Sequence, residues 1–159
     1  MAPIFRRATK ADLPAIIALL ADDKLGQGRE DAADPPNPAY LAAFAAIAAD
    51  ANQLLAVVEE AGRVIGCLQL SFIPGLSRLG MWRGQLESVR IAADQRGGGL
   101  GRQMFEWAIA ECRTRGCGSS AAICAISART TARRKPTSTR RAACRREILF
   151  LCGIARRCI

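Results

Sequence analysis

DQRGGGLGRQMFEWAIAECRTRG, residues 94–116, decides how the chain is read. Four of the five residues from 97 to 101 are glycine, and a helical pattern starts at once: Leu100, Met104, Ala108 and Cys112 recur every fourth position. Glycine ahead of a helix costs backbone entropy. That cost makes sense where something must approach the main chain closely. The first N–H groups of a helix lack intrahelical partners and sit at the positive end of its dipole, so such a turn suits an anion. Two phosphate fingerprints fail. Gly101 is followed by Arg102-Gln103 instead of Lys-Ser/Thr, which excludes a P-loop; a dinucleotide motif opening at Gly97 would need glycine at position 102. What fits is R-x-x-G-x-G, from Arg96 to Gly101. The plainer alternative is a glycine turn that only starts a helix.

Working outward, Gln85 to Ala92 (QLESVRIA) predicts the strand that feeds the loop. Before it, Leu54–Glu60 and Val64–Leu70 are two strands joined at Ala61-Gly62-Arg63, an antiparallel hairpin. Helical spacing predicts an earlier helix carrying Leu13, Ile16, Ile17 and Leu20, with Thr9 to Asp12 as its capping box. A polar loop at 26–38 leads to an alanine-rich helix, Ala39–Asp50, with Tyr40, Leu41, Phe44 and Ile47 on one side. Ile4-Phe5 opens a first short strand. The order strand, helix, helix, strand, strand, strand, helix predicts an α+β domain with a mixed sheet and excludes a repeating βαβ array.

With 159 residues, half of them hydrophobic, the chain is one domain and not disordered. No apolar run approaches the ~20 residues of a membrane span, so no membrane partner is expected. MAPIFRRATK has no apolar signal core, and the seven cysteines are an odd number, so reduced thiols in a cytoplasm are expected. Cys112 and Cys117, the one close pair, do not match zinc spacing, and there is no histidine; no metal site is expected. The net charge of +9 is unevenly placed. Residues 1–118 hold 13 basic and 13 acidic residues, while 119–159 hold 10 basic residues and one acid, Glu147. The chain therefore divides into a neutral core, 1–118, and an atypical basic segment, 119–159.

The residues around the loop resemble the GNAT acetyltransferase superfamily. The match is Glu87-Ser88-Val89-Arg90-Ile91, then Arg96 to Gly101 as R-G-x-G-[ILV]-G, then the helix to Gly116, with the hairpin from Val57 to Gly66 ahead of them. The resemblance covers roughly residues 3 to 118 and implies a mostly antiparallel sheet flanked by helices. It implies acetyl-coenzyme A as co-substrate, its diphosphate on the backbone amides of Gly97, Gly98, Gly99, Leu100, Gly101 and Arg102, with Arg96 and Arg102 as charged reserves. Its pantetheine arm would pair like an added strand with Val89, Arg90 and Ile91. Glu87 takes the place of a general base working through water, although a solvated carboxylate is an equal reading of that position. The acceptor would be an amine of a small molecule or peptide. A coenzyme A binder without catalysis is the alternative, and family members are often homodimers.

After Gly118 the resemblance ends. The family's later tyrosine, a general acid, has no counterpart: Tyr40 is the single tyrosine and lies in the wrong region. A strand at Ala121–Ile126 and an apolar patch at Ile148–Cys152 flank a basic, Thr-rich stretch. One reading is a basic arm for nucleic acid, against which stands the lack of interleaved aromatics. The other is a shifted reading frame. One codon choice for Lys135-Pro136-Thr137-Ser138-Thr139-Arg140, read one base earlier, encodes Glu-Ala-His-Leu-Tyr-Glu, similar to the family's A-H-x-[FY]-Y-E segment.

Overall fold

The hairpin predicted from residues 54–70 forms the centre of the sheet. In the computed structural model, which describes residues 2–22, 28–117 and 124–125, β2 (Gln53–Glu60) and β3 (Arg63–Ile73) pair antiparallel. Ala61 and Gly62 both take positive φ (50° and 78°), the geometry of a two-residue turn whose twist matches a hairpin. β1 (Ile4–Arg7) pairs antiparallel with β2, and β4 (Arg83–Ile91) with β3. A fragment of β5 (Cys124–Ala125) runs parallel to β4, opposite Gln85 and Leu86. The strand order is β1-β2-β3-β4-β5. Other expectations for the tail lie outside the described residues, as do the first two residues of the 26–38 loop.

Helices cover both faces. α1 (Leu13–Ala21) and α2 (Pro38–Ala49) lie over Leu55, Val57 and Cys67, while α4 (Leu100–Thr114) lies over Leu54, Val58, Leu68, Leu70 and Leu86. Residues of β2 therefore alternate between two cores, as a period of two requires. The period-four set predicted for α4 is its buried stripe: Leu100, Met104, Ala108 and Cys112 are all at most 6 % exposed. α4 can sit this close to β4 because Gly84 has no side chain. A Cβ there would fall well inside the van der Waals envelope of Cys112 Sγ.

Boundaries moved for local reasons. α2 begins at Pro38, one residue earlier than expected, because proline is tolerated at the first helical position and the Asn37 side chain accepts the Ala39 N–H at 3.0 Å. β3 runs three residues past Leu70, extended by pairing with Gln53 and by a bond from Phe72 N–H to the Asn52 carbonyl (2.8 Å). The segment after Pro74-Gly75 contains α3 (Ser77–Gly80), a single turn in which Arg78 and Leu79 are left-handed. Among the described residues, no helix is long and apolar enough to cross a membrane.

The carboxylate half of the expected capping box is formed, and it joins a wider network. Asp12, 7 % exposed, accepts the Thr9 N–H (2.7 Å) and hydroxyl (2.8 Å) and two N–H groups of the Arg6 guanidinium (2.8 Å each). Arg6 also reaches Glu59 at 2.7 Å. The Arg6 guanidinium holds the Asp12 carboxyl well below the usual carboxylate range. This network fixes the entry to α1, one wall of the site, against β1 and β2.

Candidate functional site

The glycines of the loop have separate causes. Gly97 and Gly99 both have φ +87°, a left-handed backbone that other residues adopt only with strain. Gly101 lies against β4: a Cβ there would come within 3.3 Å of Ile91 Cδ1. Gly98 has neither reason. Its φ is not in the left-handed region, and its nearest neighbour would be the Gln95 carbonyl oxygen at 3.6 Å, an ordinary contact. The fold does not itself demand glycine at 98.

α4 starts at Leu100 with Gly99 as its N-cap residue. The Gly99 carbonyl accepts both the Arg102 N–H (3.0 Å) and the Gln103 N–H (3.3 Å). The amides before them, through Gly101, precede the first acceptor the helix offers. The two arginines expected to reinforce the loop have partners within the fold. The Arg102 amide is held by Gly99 and its guanidinium by Glu106 at 2.7 Å. Arg96 donates to the Ile91 carbonyl (3.0 Å) and pairs with Asp22 (2.6 Å), tying the loop to the end of β4 and to the end of α1.

β4 carries a feature that the sequence reading missed. Gln69 stands opposite Glu87 and Cys67 opposite Arg90, so three steps along β4 match two along β3. The extra residue makes a bulge, and Ser88 within it takes φ +53°. A bulge turns two consecutive side chains to one side of the sheet; here they are Glu87 and Ser88, facing α1 and α2. Val89 then packs towards the α4 core, while Arg90 returns to the Cys67 side. Among the described residues, β5 pairs with β4 at Gln85 and Leu86, and β4 continues from Glu87 to Ile91. Two carbonyls of that stretch are covered by arginines: Val89 by the Arg90 guanidinium (3.0 Å) and Ile91 by Arg96. Each carbonyl has a second lone pair for an incoming donor.

Glu87 is half-buried and accepts a hydrogen bond from the Gln85 side chain two residues before it. Gln85 belongs to a polar row continued by Ser71 and Gln69, both of which donate to Gln53 Oε1 (2.8 and 3.1 Å). Beyond that row the face becomes apolar. A cavity of about 100 Å³ opens between α1, α2 and the sheet, with Gln69 and Ser88 on its floor. Tyr40 lines it with its ring, but its hydroxyl is engaged elsewhere, donating to Glu30 (2.7 Å) and accepting from Asp31 N–H (3.0 Å). The Glu30 carboxylate raises the Tyr40 hydroxyl above its ordinary pKa. Cys67, buried beneath Ser88, is pushed up to about 12 by desolvation, the nearby Arg90 opposing only in part. It is a packing residue. Gln85, Gln69 and Ser88 were not singled out from the sequence; the Q-x-E spacing of Gln85 and Glu87 was the one available signal.

This arrangement can be set beside known proteins. The sequence profile of the Acetyltransferase (GNAT) family matches residues 14–134. The solved structure of a transcriptional regulator from Bacillus halodurans C-125 is 39 % identical, covering 73 % of this chain and 77 % of its own, with a TM-score of 0.71. Glucosamine-6-phosphate N-acetyltransferase from Arabidopsis thaliana shares the fold at 21 % identity and TM-score 0.61, covering 74 % of this chain and 78 % of its own. So does a predicted acetyltransferase from Clostridium acetobutylicum, solved with acetyl-CoA, at 16 % identity and TM-score 0.63, covering 86 % and 92 %. Comparison with curated protein sequences gives no match. A glycine loop at a helix N-terminus, a bulged strand leading into it and a profile match over residues 14–134 agree: the chain belongs to the GNAT acetyltransferase family.

Proposed function

We propose that the chain binds acetyl-coenzyme A and descends from an N-acetyltransferase that moves the acetyl group to an amine in the cytoplasm. The observation that carries this reading is the juxtaposition of the glycine-loop amides ahead of Arg102 with the bulged end of β4. When bound, acetyl-coenzyme A supplies the acetyl group as an activated thioester. The amides of Gly97, Gly98, Gly99, Leu100 and Gly101 face its diphosphate without side chains in the way. The backbone of Val89, Arg90 and Ile91 offers the pantetheine arm a strand edge.

Glu87 takes the proton an ammonium must lose before its nitrogen can attack, directly or through water. Gln85 holds that carboxylate towards the α1–α2 face. A backbone N–H just after the bulge, at Val89 or Ile91, polarises the thioester carbonyl. The C–N bond forms as the C–S bond breaks, and the departing sulfur takes a proton. Tyr40, turned to Glu30, does not supply it.

Calorimetric titration of acetyl-coenzyme A tests the reading. Gly99→Glu puts a negative charge against the diphosphate at the helix N-terminus and is expected to weaken binding at least tenfold. Gly62→Glu imposes similar backbone strain at φ +78° in the remote hairpin turn and is the control, expected to bind as the parent does. Equal losses in both variants, or no binding by the parent, defeat the assignment.

A second reading has one observation behind it. The 39 % identical neighbour is described as a transcriptional regulator, and residues 119–159 carry 10 basic residues against one acid. Salt-dependent DNA binding that disappears when 119–159 are deleted would favour it.

A further inference from the structure

Resting on the acetyltransferase reading, we infer that the acceptor presents its amine on a small, uncharged alkyl body, and that the cavity between α1, α2 and the bulge of β4 is its seat. The argument begins with the wall. Ile16, Ile17 and Leu20 of α1, Phe44 and Ile47 of α2 and Leu55 of β2 face the space, and among the described residues no charged side chain lines it. The polar groups are confined to one side. Tyr40 could have offered a hydroxyl to a ligand, but that group is bonded to Glu30 and Asp31, leaving the ring face as lining. Gln69 and Ser88 sit at the sheet floor. Gln69 is directly opposite Glu87, and Ser88 is next to it in the bulge. Along this face of the sheet the chemistry therefore grades from the Glu87 carboxylate beside the cavity, to the amide and hydroxyl of its floor, to hydrocarbon.

An amine entering with its nitrogen at Glu87 must put its other substituent against Leu, Ile and Phe. A phosphate or a second ammonium placed there would lose its hydration with no partner in return. A basic polypeptide or a sugar phosphate is disfavoured for that reason. Size narrows the choice further. A cavity of about 150 Å³ lined by Leu, Ile and Phe takes up benzene, so about 100 Å³ accepts an alkyl group of about three to five carbons.

The test is binding to the whole chain with coenzyme A present, which needs no turnover. Isoamylamine is the alkyl probe; putrescine and glucosamine 6-phosphate are the charged ones. Affinities come from saturation-transfer NMR, and coenzyme A binding is measured by calorimetry on the same sample. Ala43, exposed on α2 at the cavity rim, is the site for blocking variants, because added bulk there enters the cavity without disturbing buried packing. Isoamylamine should bind at least tenfold more tightly than either charged amine. Ala43→Trp should abolish that preference, and Ala43→Leu should weaken it, with melting temperature and coenzyme A affinity unchanged. Normal coenzyme A binding with no alkyl preference, or a preference indifferent to both variants, overturns the acceptor class and leaves the acetyltransferase reading standing. Failure to bind coenzyme A overturns both.

Discussion

Gly84→Ala measures how closely α4 is set against the strand that carries Glu87. The added Cβ would overlap Cys112 Sγ, yet lie 3.6 Å from Cys112 Cβ, an ordinary contact. The sulfur alone is the obstacle. Cys112 is fully buried, so its side chain has no free space to move into. Overpacking of this kind costs about 1–3 kcal/mol. Cys112→Ala removes one buried heavy atom and should cost about 1 kcal/mol, like other single-group core deletions. In the double variant the new methyl group occupies space vacated by the sulfur. Its loss should be close to that of Cys112→Ala alone, which makes the coupling about 1–3 kcal/mol in the stabilising direction. Urea unfolding followed by the fluorescence of Trp82 and Trp107 gives the four free energies. The same cycle should appear in acetyl-coenzyme A affinity, weakened by Gly84→Ala and recovered in the pair, because β4 carries both the bulge and the edge offered to the coenzyme. If Gly84→Ala costs the same with or without the sulfur, the packing argument is wrong.

Other consequences are open to test. Glu87→Gln keeps the shape and removes the base; acetyl transfer should fall about 10²–10⁴-fold with acetyl-coenzyme A affinity unchanged, and loss of both together would make Glu87 structural. This comparison belongs in a chain that turns over, because the present one is expected to have weak or absent activity. Restoring one base near codon 118 should recover turnover, and ordinary enzyme rates from the chain as written would refute the frame-shift reading. Asp12→Asn should destabilise by about 2–3 kcal/mol, less than the about 3–5 of a fully buried pair, since a third of the Arg6 side chain stays exposed. Because the Asp12 carboxyl is depressed in the folded state, its contribution is complete above the unfolded value of about 3.9 and is lost as pH falls below it, so acid titration of stability should flatten there in Asp12→Asn. Cys67, with its thiol pushed up to about 12, should resist alkylation at pH 8 until the protein is denatured, as read by peptide mass spectrometry; rapid native labelling would contradict its burial.

The parts of this fold that were legible in the sequence are those fixed by local chemistry. Leu100, Met104, Ala108 and Cys112 announced both a helix and its buried face, and the four glycines of residues 97–101 announced a main chain open to close approach. Short apolar runs identified β2 and β3, because a strand buried on two faces reads as nearly continuous hydrophobic sequence, and alternation identified β4. What stayed hidden depends on partners distant in the chain. Nothing in ESVRI marks Ser88 as a bulge residue; serine is not a residue that signals positive φ, and only the mismatch between two steps of β3 and three of β4 reveals it. The folded partners of the arginines were hidden for a related reason. Arg96 and Arg102 looked like phosphate ligands beside a glycine loop, and their side chains also meet Asp22, Glu106 and the Ile91 carbonyl, which become neighbours only after folding.

On the acetyltransferase reading proposed above, the bulge lets one strand serve both substrates. In a regular strand, Glu87 and Val89 would face one way and Ser88 the other. The extra residue reverses the alternation after Glu87. Ser88 then lines the α1–α2 cavity and Glu87 stands beside it on the same face, opposite Gln69, while Val89 turns back towards α4. The backbone leaving the bulge can then present its outer edge to the coenzyme while the side chains ahead of it stay with the acceptor. Straightening β4 would keep every residue in the sequence motif and still separate the base from the pocket it has to serve. The site therefore depends on the register between β3 and β4 as much as on the identity of Glu87 or of the loop glycines.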